Sequence, residues 1–150
     1  MLVYRIARAA YSALDGEGAR RSGGRWNSPG TPVVYTAGSR ALAVLEVLAW
    51  TNPATAPLDL ALFEIEAPAP GTDDVVSPES LPAGWRQPGF AGCRAAGDAW
   101  AASASSTTLR VPSAIVPEEW NYLINPRHPG FATVRIVSAQ PFEFDSRLLR

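Results

Sequence analysis

The stretch PVVYTAGSRALAVLEVLAW, residues 32–50, decides the class of fold. Its opening residues are β-branched, aromatic or small, which predicts a short buried strand over residues 32–37. Ser39 is a preferred N-cap residue, so a helix is predicted to begin directly after it. Apolar side chains surround that helix on every side, as is typical of a helix buried in a core. A strand and a helix in direct succession indicate a domain of mixed α and β structure.

Further strands are predicted on both sides of this unit. They cover residues 2–7, 59–67, 107–111, 120–124, 132–137 and 141–144. An alanine-rich helix is predicted over residues 93–104, whereas residues 15–30 and 68–88 are rich in turn-forming residues and are predicted to be mostly loop. Strands outnumber helices and do not alternate with them, which favours an α+β fold over a doubly wound sheet. A length of 150 residues suits one domain, so a single domain over residues 1–150 is expected.

Composition argues against several classes of function. With 13 basic and 14 acidic residues the net charge is −1, so no strongly basic surface is expected to grip a nucleic-acid backbone. Cys93 and His128 are the single cysteine and histidine, which excludes an internal disulfide and argues against a zinc cluster. No apolar run reaches the roughly 20 residues that cross a bilayer, and the N-terminus lacks a signal-peptide pattern. A soluble, cytoplasmic protein is therefore expected.

Residues 23–27, GGRWN, are the first candidate binding site. Two glycines allow the chain to turn tightly or to approach a ligand closely. Arg25 is then a candidate for binding phosphates of a charged ligand, and Trp26 for contacting its apolar part. Composition alone favours the structural alternative, which is a surface loop whose tryptophan fills the core.

Glu46 is the second candidate, because it is the one acidic residue in the apolar helix. A buried carboxylate is unfavourable unless it is paired, protonated or used in chemistry. In a cleft, a carboxylate stabilises the positive charge that develops on a ribose as its glycosidic bond breaks. The structural alternatives are a buried ion pair with an arginine and a glutamate at the edge of the core, and the residues alone do not choose between these and a function.

Four other polar residues have weaker claims to a functional role. Ser113 follows a predicted strand, and without a His–Asp arrangement nearby it suits hydrogen bonding better than nucleophilic attack. Asn121 either binds ligand or holds a turn, and the turn is favoured. Tyr35 lies on a predicted strand, where a core position is the default and contact with a ribose the alternative. His128 stands in a proline-flanked turn and is expected to be structural.

Two segments together resemble the RES domain, a family named after its Arg, Glu and Ser. The first is GGRWNSPGTPVVYTAGSRALAVLEVLAW, residues 23–50, and the second is VPSAIVPEEWNYLINPRHPGF, residues 111–131. The first segment is highly specific, because arginine, tyrosine, serine-capped helix and glutamate follow one another in family order. The resemblance covers nearly the whole chain.

The resemblance implies an ADP-ribosyltransferase-like fold, with a split, mostly antiparallel β-core and helices beside an NAD⁺ cleft. It also implies a toxin of a toxin–antitoxin pair that cleaves the nicotinamide–ribose bond of NAD⁺ by hydrolysis or phosphorolysis. NAD⁺ would be the substrate, inorganic phosphate a second small-molecule partner, and no cofactor would be needed. An Xre-type helix-turn-helix antitoxin would hold the toxin inactive in a hetero-oligomer, without direct contact of the toxin to nucleic acid or membrane. Two alternatives stay open: a toxin that ADP-ribosylates a protein, and a catalytically weak module that acts through complex formation.

By motif position, the catalytic residues implied by the resemblance are Arg25, Glu46 and Ser113. Arg25 would clamp the phosphates or the nicotinamide ribose, and Glu46 would hold a ribose hydroxyl and offset oxocarbenium charge. Gly130 departs from the acidic residue that the family often has after its His-Pro turn. The residues expected to bind substrate in the same pocket are Tyr35, Asn121 and Trp26.

Overall fold

The computed structural model describes residues 1–52, 55–89 and 92–149. Within these residues the strands are β1 (Leu2–Arg8), β2 (Val34–Ala37), β3 (Leu60–Glu66), β4 (Thr108–Pro112), β5 (Trp120–Ile124) and β6 (Arg135–Pro141). The α-helices are α1 (Glu17–Ser22), α2 (Arg40–Leu48) and α3 (Cys93–Ser103). Short 3₁₀ turns cover Pro78–Ser80, Pro129–Thr133 and Ser146–Leu149.

The strands form one six-stranded sheet in the order β4-β5-β2-β1-β3-β6. Every neighbouring pair is antiparallel, and β2 at the centre pairs with β1 through Ala37 and with β5 from Val34 onward. The expected α+β class is confirmed. The two halves of the sheet, β4-β5-β2 and β1-β3-β6, meet at the single register pair Tyr4–Ala37 between β1 and β2.

Helix α2 begins where its cap predicts, and Ser39 Oγ accepts a hydrogen bond from the main-chain N–H of Leu42 at 3.1 Å. Leu42 and Ala43 are buried against the sheet, in a cluster with Ile6 and Leu60. The expectation that every face of this helix is buried is wrong. Leu45 is 40% exposed, because the sheet covers only the side of the helix that faces it.

Two predicted stretches differ from the observed elements. The predicted loop over residues 15–30 contains α1, a short helix in which Arg20 is ion-paired with Glu17 at 2.7 Å. The strands predicted over residues 132–137 and 141–144 are replaced by the Pro129–Thr133 turn and the single strand β6. Proline at the first position of that turn presets its backbone, so the strand begins only after it.

The core lies on both faces of the sheet. Strand β3 alternates buried and half-buried positions, and its Phe63 and Ile65 pack with Val3 of β1. A second cluster joins α3 to the GGRWN loop through Trp26 and Trp100. Burial of each such large side chain stabilises the fold by about 1.5–3 kcal/mol. In the described part of the chain, no helix has the length and apolarity to cross a membrane.

Candidate active site

A cleft of about 950 Å³ opens beside the central strand β2. Its walls are formed by α1, the GGRWN loop, the inner face of α2 and the edge of β5. This volume lies at the upper end of the range of small-molecule sites, which is about 300–1,000 Å³. The charged side chains on its lining are Arg5, Asp15, Glu17, Arg21, Arg25, Glu46 and Arg94.

The half-buried Glu46 carboxylate is fixed to the sheet side of the cleft by one of its two oxygens. Its Oε1 accepts a hydrogen bond from Ser113 Oγ at 2.7 Å and another from Asn121 Nδ2 at 2.5 Å. Among the described residues, none donates a hydrogen bond to Oε2. The carboxylate is therefore oriented by the protein while one oxygen is left for a ligand. Of the two structural alternatives, a buried ion pair with an arginine is not formed among the described residues, whereas a position at the edge of the core agrees with the half-burial of Glu46.

Ser113 is fully buried behind Glu46, at the turn that follows β4. Its Oγ donates to Glu46 and accepts hydrogen bonds from the main-chain N–H groups of Ile115 and Val116, both at 3.1 Å. A hydroxyl has one hydrogen and two lone pairs, so these three bonds use its full capacity. Ser113 therefore orients Glu46, in agreement with the expectation that it hydrogen-bonds.

Asn121 on β5 contributes an amide whose two ends differ in their partners. The Nδ2 group donates to Glu46, and this fixes the amide orientation, because the reverse orientation would set two acceptors against each other. Its Oδ1 is buried and has no hydrogen-bond partner among the described residues. A buried, unpaired acceptor costs about 1–3 kcal/mol, and the fold accepts this cost at a residue that orients Glu46.

The GGRWN loop is braced by Tyr35 of β2. The Tyr35 hydroxyl donates to Asn27 Oδ1 at 2.7 Å and accepts from the Trp26 main-chain N–H at 3.0 Å. Burial raises the pKa of Tyr35 well above that of a free phenol. Gly24 lies so close that a Cβ there would be 2.6 Å from the Tyr35 hydroxyl, which explains the glycine. Tyr35 lines the cleft, so its predicted contact with a ribose stays a prediction.

Helix α3 holds the same loop from the other side. Arg94 Nε donates to the Gly24 carbonyl at 2.8 Å, and Asp98 accepts from the main chain and hydroxyl of Ser28 at 2.9 and 2.5 Å. Trp26 is 2% exposed and packs in the core, which is the structural role that composition favoured. Part of this residue also lines the cleft, and its role in substrate binding stays a prediction.

The Arg25 guanidinium lies on the cleft wall and reaches across to the segment before α3. It donates to the carbonyl oxygens of Trp85 at 2.6 Å, Arg86 at 3.1 Å and Gln87 at 3.5 Å. These contacts hold a loop in place. The predicted clamp on phosphates would add to them, and it stays a prediction.

Arg5 is the site residue that the sequence did not single out. It lies on β1 and its side chain enters the cleft, where burial lowers its pKa and the nearby Asp15 partly opposes that effect. No hydrogen bond or ion pair joins its guanidinium to another described residue. A strand arginine in the run LVYRIA was the signal available, since a charge on an inward position of a buried strand needs a partner.

The structure thus brings Arg25, Tyr35, Glu46 and Asn121 to one cleft, with Ser113 directly behind Glu46. His128 lies apart from them: its Nδ1 accepts from the Gly130 N–H and contacts Thr107 Oγ1 at 2.8 Å. This is the structural role expected for it. In the described ranges, no group of His, Cys, Asp and Glu is arranged to hold a metal ion.

This combination of a continuous antiparallel sheet with polar side chains converging on one cleft defines a class of small α+β domains. The family model of the RES domain matches residues 2–145, and the chain belongs to the RES domain family. The Prs ADP-ribosylating toxin of Sphingobium sp. (strain YBL2) is 42% identical, over 98% of this chain and 96% of that protein. Toxin Res of Photorhabdus laumondii is 39% identical, over 100% of this chain and 98% of that one.

Two mycobacterial comparisons are narrower. The NAD(+) phosphorylase MbcT of Mycobacterium tuberculosis (strain ATCC 25618 / H37Rv) is 51% identical over 45 residues, which is 29% of this chain and 24% of that protein. The crystal structure of the M. tuberculosis MbcT–MbcA toxin–antitoxin complex superposes with a TM-score of 0.76 at 24% identity. It covers 94% of this chain and 83% of that one, and it shows the shared fold.

Proposed function

We propose that the chain is the toxin of a toxin–antitoxin pair and that it cleaves the bond between nicotinamide and ribose in NAD⁺. One observation carries the proposal: the carboxylate of Glu46, a residue that lines a cleft of about 950 Å³, is oriented by two hydrogen bonds to one oxygen, and no described residue donates to the other. The relatives support it, because an ADP-ribosylating toxin and an NAD(+) phosphorylase both begin by breaking this bond.

Glu46 has the role of stabilising charge in the transition state. As nicotinamide leaves, positive charge develops on the ribose ring, and a fixed carboxylate in a partly water-excluded site stabilises that charge more than it stabilises the ground state. The open oxygen, Oε2, would accept a hydrogen bond from a ribose hydroxyl. Because Ser113 and Asn121 already hold Oε1, the carboxylate need not reorganise during the reaction.

Asn121 acts on the substrate through Glu46. Its Nδ2 holds the carboxylate oxygen, whereas its Oδ1 is buried and has no described partner. The contribution of Asn121 is therefore the orientation of the carboxylate that meets the ribose.

The arginines of the cleft suit the pyrophosphate of the dinucleotide. Arg5 is the strongest candidate, because it is half-buried on the cleft lining and its guanidinium has no described hydrogen-bonding partner. A guanidinium stays charged in proteins and binds phosphate oxygens through two parallel N–H groups. Arg25 would add a second cation from the opposite loop while it keeps its contacts to residues 85–87.

The acceptor of the ADP-ribose group is the open part of the proposal. We infer water or inorganic phosphate as acceptor, which would make the chain an NAD⁺ glycohydrolase or NAD⁺ phosphorylase. The second candidate is transfer to a protein side chain, and it is favoured by the 42% identical ADP-ribosylating toxin. A catalytically weak module would release no nicotinamide, whichever of these acceptors is supplied.

Product analysis with labelled NAD⁺ separates these outcomes. The protein, freed from antitoxin, is incubated with NAD⁺ in buffer with and without phosphate, and nicotinamide, ADP-ribose and ADP-ribose-1-phosphate are quantified. Formation of ADP-ribose-1-phosphate only with phosphate present identifies a phosphorylase, and formation of free ADP-ribose identifies a glycohydrolase. Transfer of a label in the ADP-ribose part of NAD⁺ to added cell protein identifies a transferase. Absence of nicotinamide in every arm would contradict the proposal.

The partner in this proposal is an antitoxin of the Xre helix-turn-helix type. The support comes from family membership and from the shared fold with a toxin crystallised as a toxin–antitoxin complex. Coexpression with the neighbouring gene product and measurement of NAD⁺ loss test it, because a true antitoxin abolishes nicotinamide release and comigrates with the chain. The DNA contacts of such a pair would belong to the antitoxin, since the chain itself has a net charge of −1.

A further inference from the structure

A chain of hydrogen bonds connects the loop before α3 to the Glu46 carboxylate. Arg86, in the segment that Arg25 holds, donates from Nε to the Ala114 carbonyl at 2.8 Å and from Nη2 to the Ile115 carbonyl at 3.3 Å. Ala114 lines the cleft, whereas the lining does not include Arg86. The Arg86 side chain is therefore bound to the turn beside the site without facing a substrate.

That turn decides how Ser113 presents its hydroxyl. The main-chain N–H groups of Ile115 and Val116 occupy both lone pairs of Ser113 Oγ. With both lone pairs engaged, the hydroxyl hydrogen can point only toward Glu46, whose Oε1 lies 2.7 Å away. Any movement of the 114–116 turn would release the hydroxyl to rotate and weaken its bond to Glu46.

We propose that Arg86 is a positioning residue, which fixes the 114–116 turn so that Ser113 holds the Glu46 carboxylate in its working orientation. The inference rests on the proposed function for its effect on turnover, although the turn itself is observed independently of any reaction. The two ends of the turn are otherwise held by bonds from Ser113 N–H to Glu119 O and from Glu119 N–H to Val116 O, both at 2.9 Å. Arg86 supplies the contacts to the two carbonyls between them.

A double-mutant cycle with Arg86→Met and Ser113→Ala tests the proposal. Arg86→Met is expected to lower kcat for nicotinamide release about tenfold, with KM changed less than about twofold, because two charge-assisted hydrogen bonds to the turn are lost while the substrate contacts remain. In the Ser113→Ala background the same substitution is expected to have no further effect, since Arg86 acts through the hydroxyl. Arg86→Lys should restore part of kcat, because an ammonium still donates to one of the carbonyls.

Arg135→Met is the matched control, since Arg135 is also an exposed arginine with an acceptor, Glu66, but lies on the far edge strand β6. It should leave kcat and KM unchanged. The proposal would be overturned if Arg86→Met lowered kcat equally in the wild-type and Ser113→Ala backgrounds. It would also be overturned if Arg86→Met raised KM at constant kcat.

A readout independent of activity separates this inference from the proposed function. Amide hydrogen exchange of Ile115 and Val116 should become about tenfold faster in Arg86→Met and stay unchanged in Arg135→Met, because the N–H bonds to Ser113 open more often. If the wild-type protein releases no nicotinamide but these amides respond, the proposed function fails and the positioning role stands. Unchanged exchange at both amides overturns the positioning role whatever the activity.

Discussion

At the scale of single residues, the site depends on the different hydrogen bonding of the two oxygens of one carboxylate. Glu46 Oε1 accepts hydrogen bonds from Ser113 and Asn121, whereas Oε2 accepts none from the described residues, and Glu46 lines the cleft. The acidic residue in an apolar helix is visible in the sequence, so Glu46 could be predicted from it. Its partners could not be derived from the residues alone, because they lie 67 and 75 positions along the chain and meet it only through the sheet.

Because of the Tyr35 hydroxyl, the stability of the folded protein changes with pH in the alkaline range. Its pKa is raised in the folded protein above the ordinary value of 10.0, mainly by burial, so the folded state holds this proton more tightly than the unfolded chain does. The stabilisation that follows is complete below pH 10.0 and is lost as the pH rises above it. Tyr35→Phe should be about 1 kcal/mol less stable near neutral pH, because the Trp26 N–H loses its acceptor.

Urea denaturation between about pH 9 and pH 11 measures the difference, and Tyr35→Phe should lose less stability over this range than the wild-type protein. Tyr11→Phe is the control for removal of a phenol from the surface, since Tyr11 is 59% exposed. A Tyr35→Phe variant that loses stability as steeply as the wild type would contradict this account.

At the scale of elements, α2 is the rigid carrier of Glu46. Its start could be predicted from sequence, because the Ser39 cap is a local signal that tertiary contacts did not override. Which side of α2 is exposed could not be predicted, because Leu45 is as apolar as Leu42. Only the position of the sheet leaves Leu45 exposed and Leu42 buried. The short helix α1 was missed for a similar reason: a segment of Gly, Arg and Ser carries no apolar periodicity.

Removal of the Ser39 N-cap should destabilise helix α2. Ser39→Ala is expected to lower the free energy of unfolding by about 1 kcal/mol, because the Leu42 N–H loses its acceptor at the helix N-terminus. Ser39→Asp should keep most of the stability, since aspartate caps equally well. Urea denaturation of the three proteins checks this, and a Ser39→Ala variant as stable as the wild type would show that the cap contributes nothing.

At the scale of the whole molecule, the cleft exists because segments distant in sequence are packed against each other. The GGRWN loop is held by Tyr35 on one side and by α3 on the other, where Gly97 lies directly beneath Trp26. Sequence motifs indicated which residues belong to the site. They did not indicate that α3 holds the GGRWN loop from behind, since which surfaces meet depends on the complete sheet.

Gly97 and Gly18 form a matched pair that tests this packing. A Cβ at Gly97 would lie 1.7 Å from the Trp26 carbonyl oxygen, whereas a Cβ at Gly18 meets nothing within 4 Å, and both residues are helical. Gly97→Ala should lower the free energy of unfolding by about 3 kcal/mol or more by forcing α3 off the loop. Gly18→Ala should be neutral or stabilising by up to about 1 kcal/mol. Similar thermal unfolding of the two variants would contradict the observed contact.

The most direct test of the catalytic account is nicotinamide release from NAD⁺ by Glu46→Gln. The amide oxygen can still accept from Ser113 and Asn121, so the fold should be retained, while the negative charge at the cleft is lost. Turnover should fall by about 100-fold or more, with Glu66→Gln at the end of β3, outside the cleft lining, remaining as active as the wild type. Undiminished nicotinamide release by a folded Glu46→Gln protein would show that this carboxylate takes no part in the chemistry.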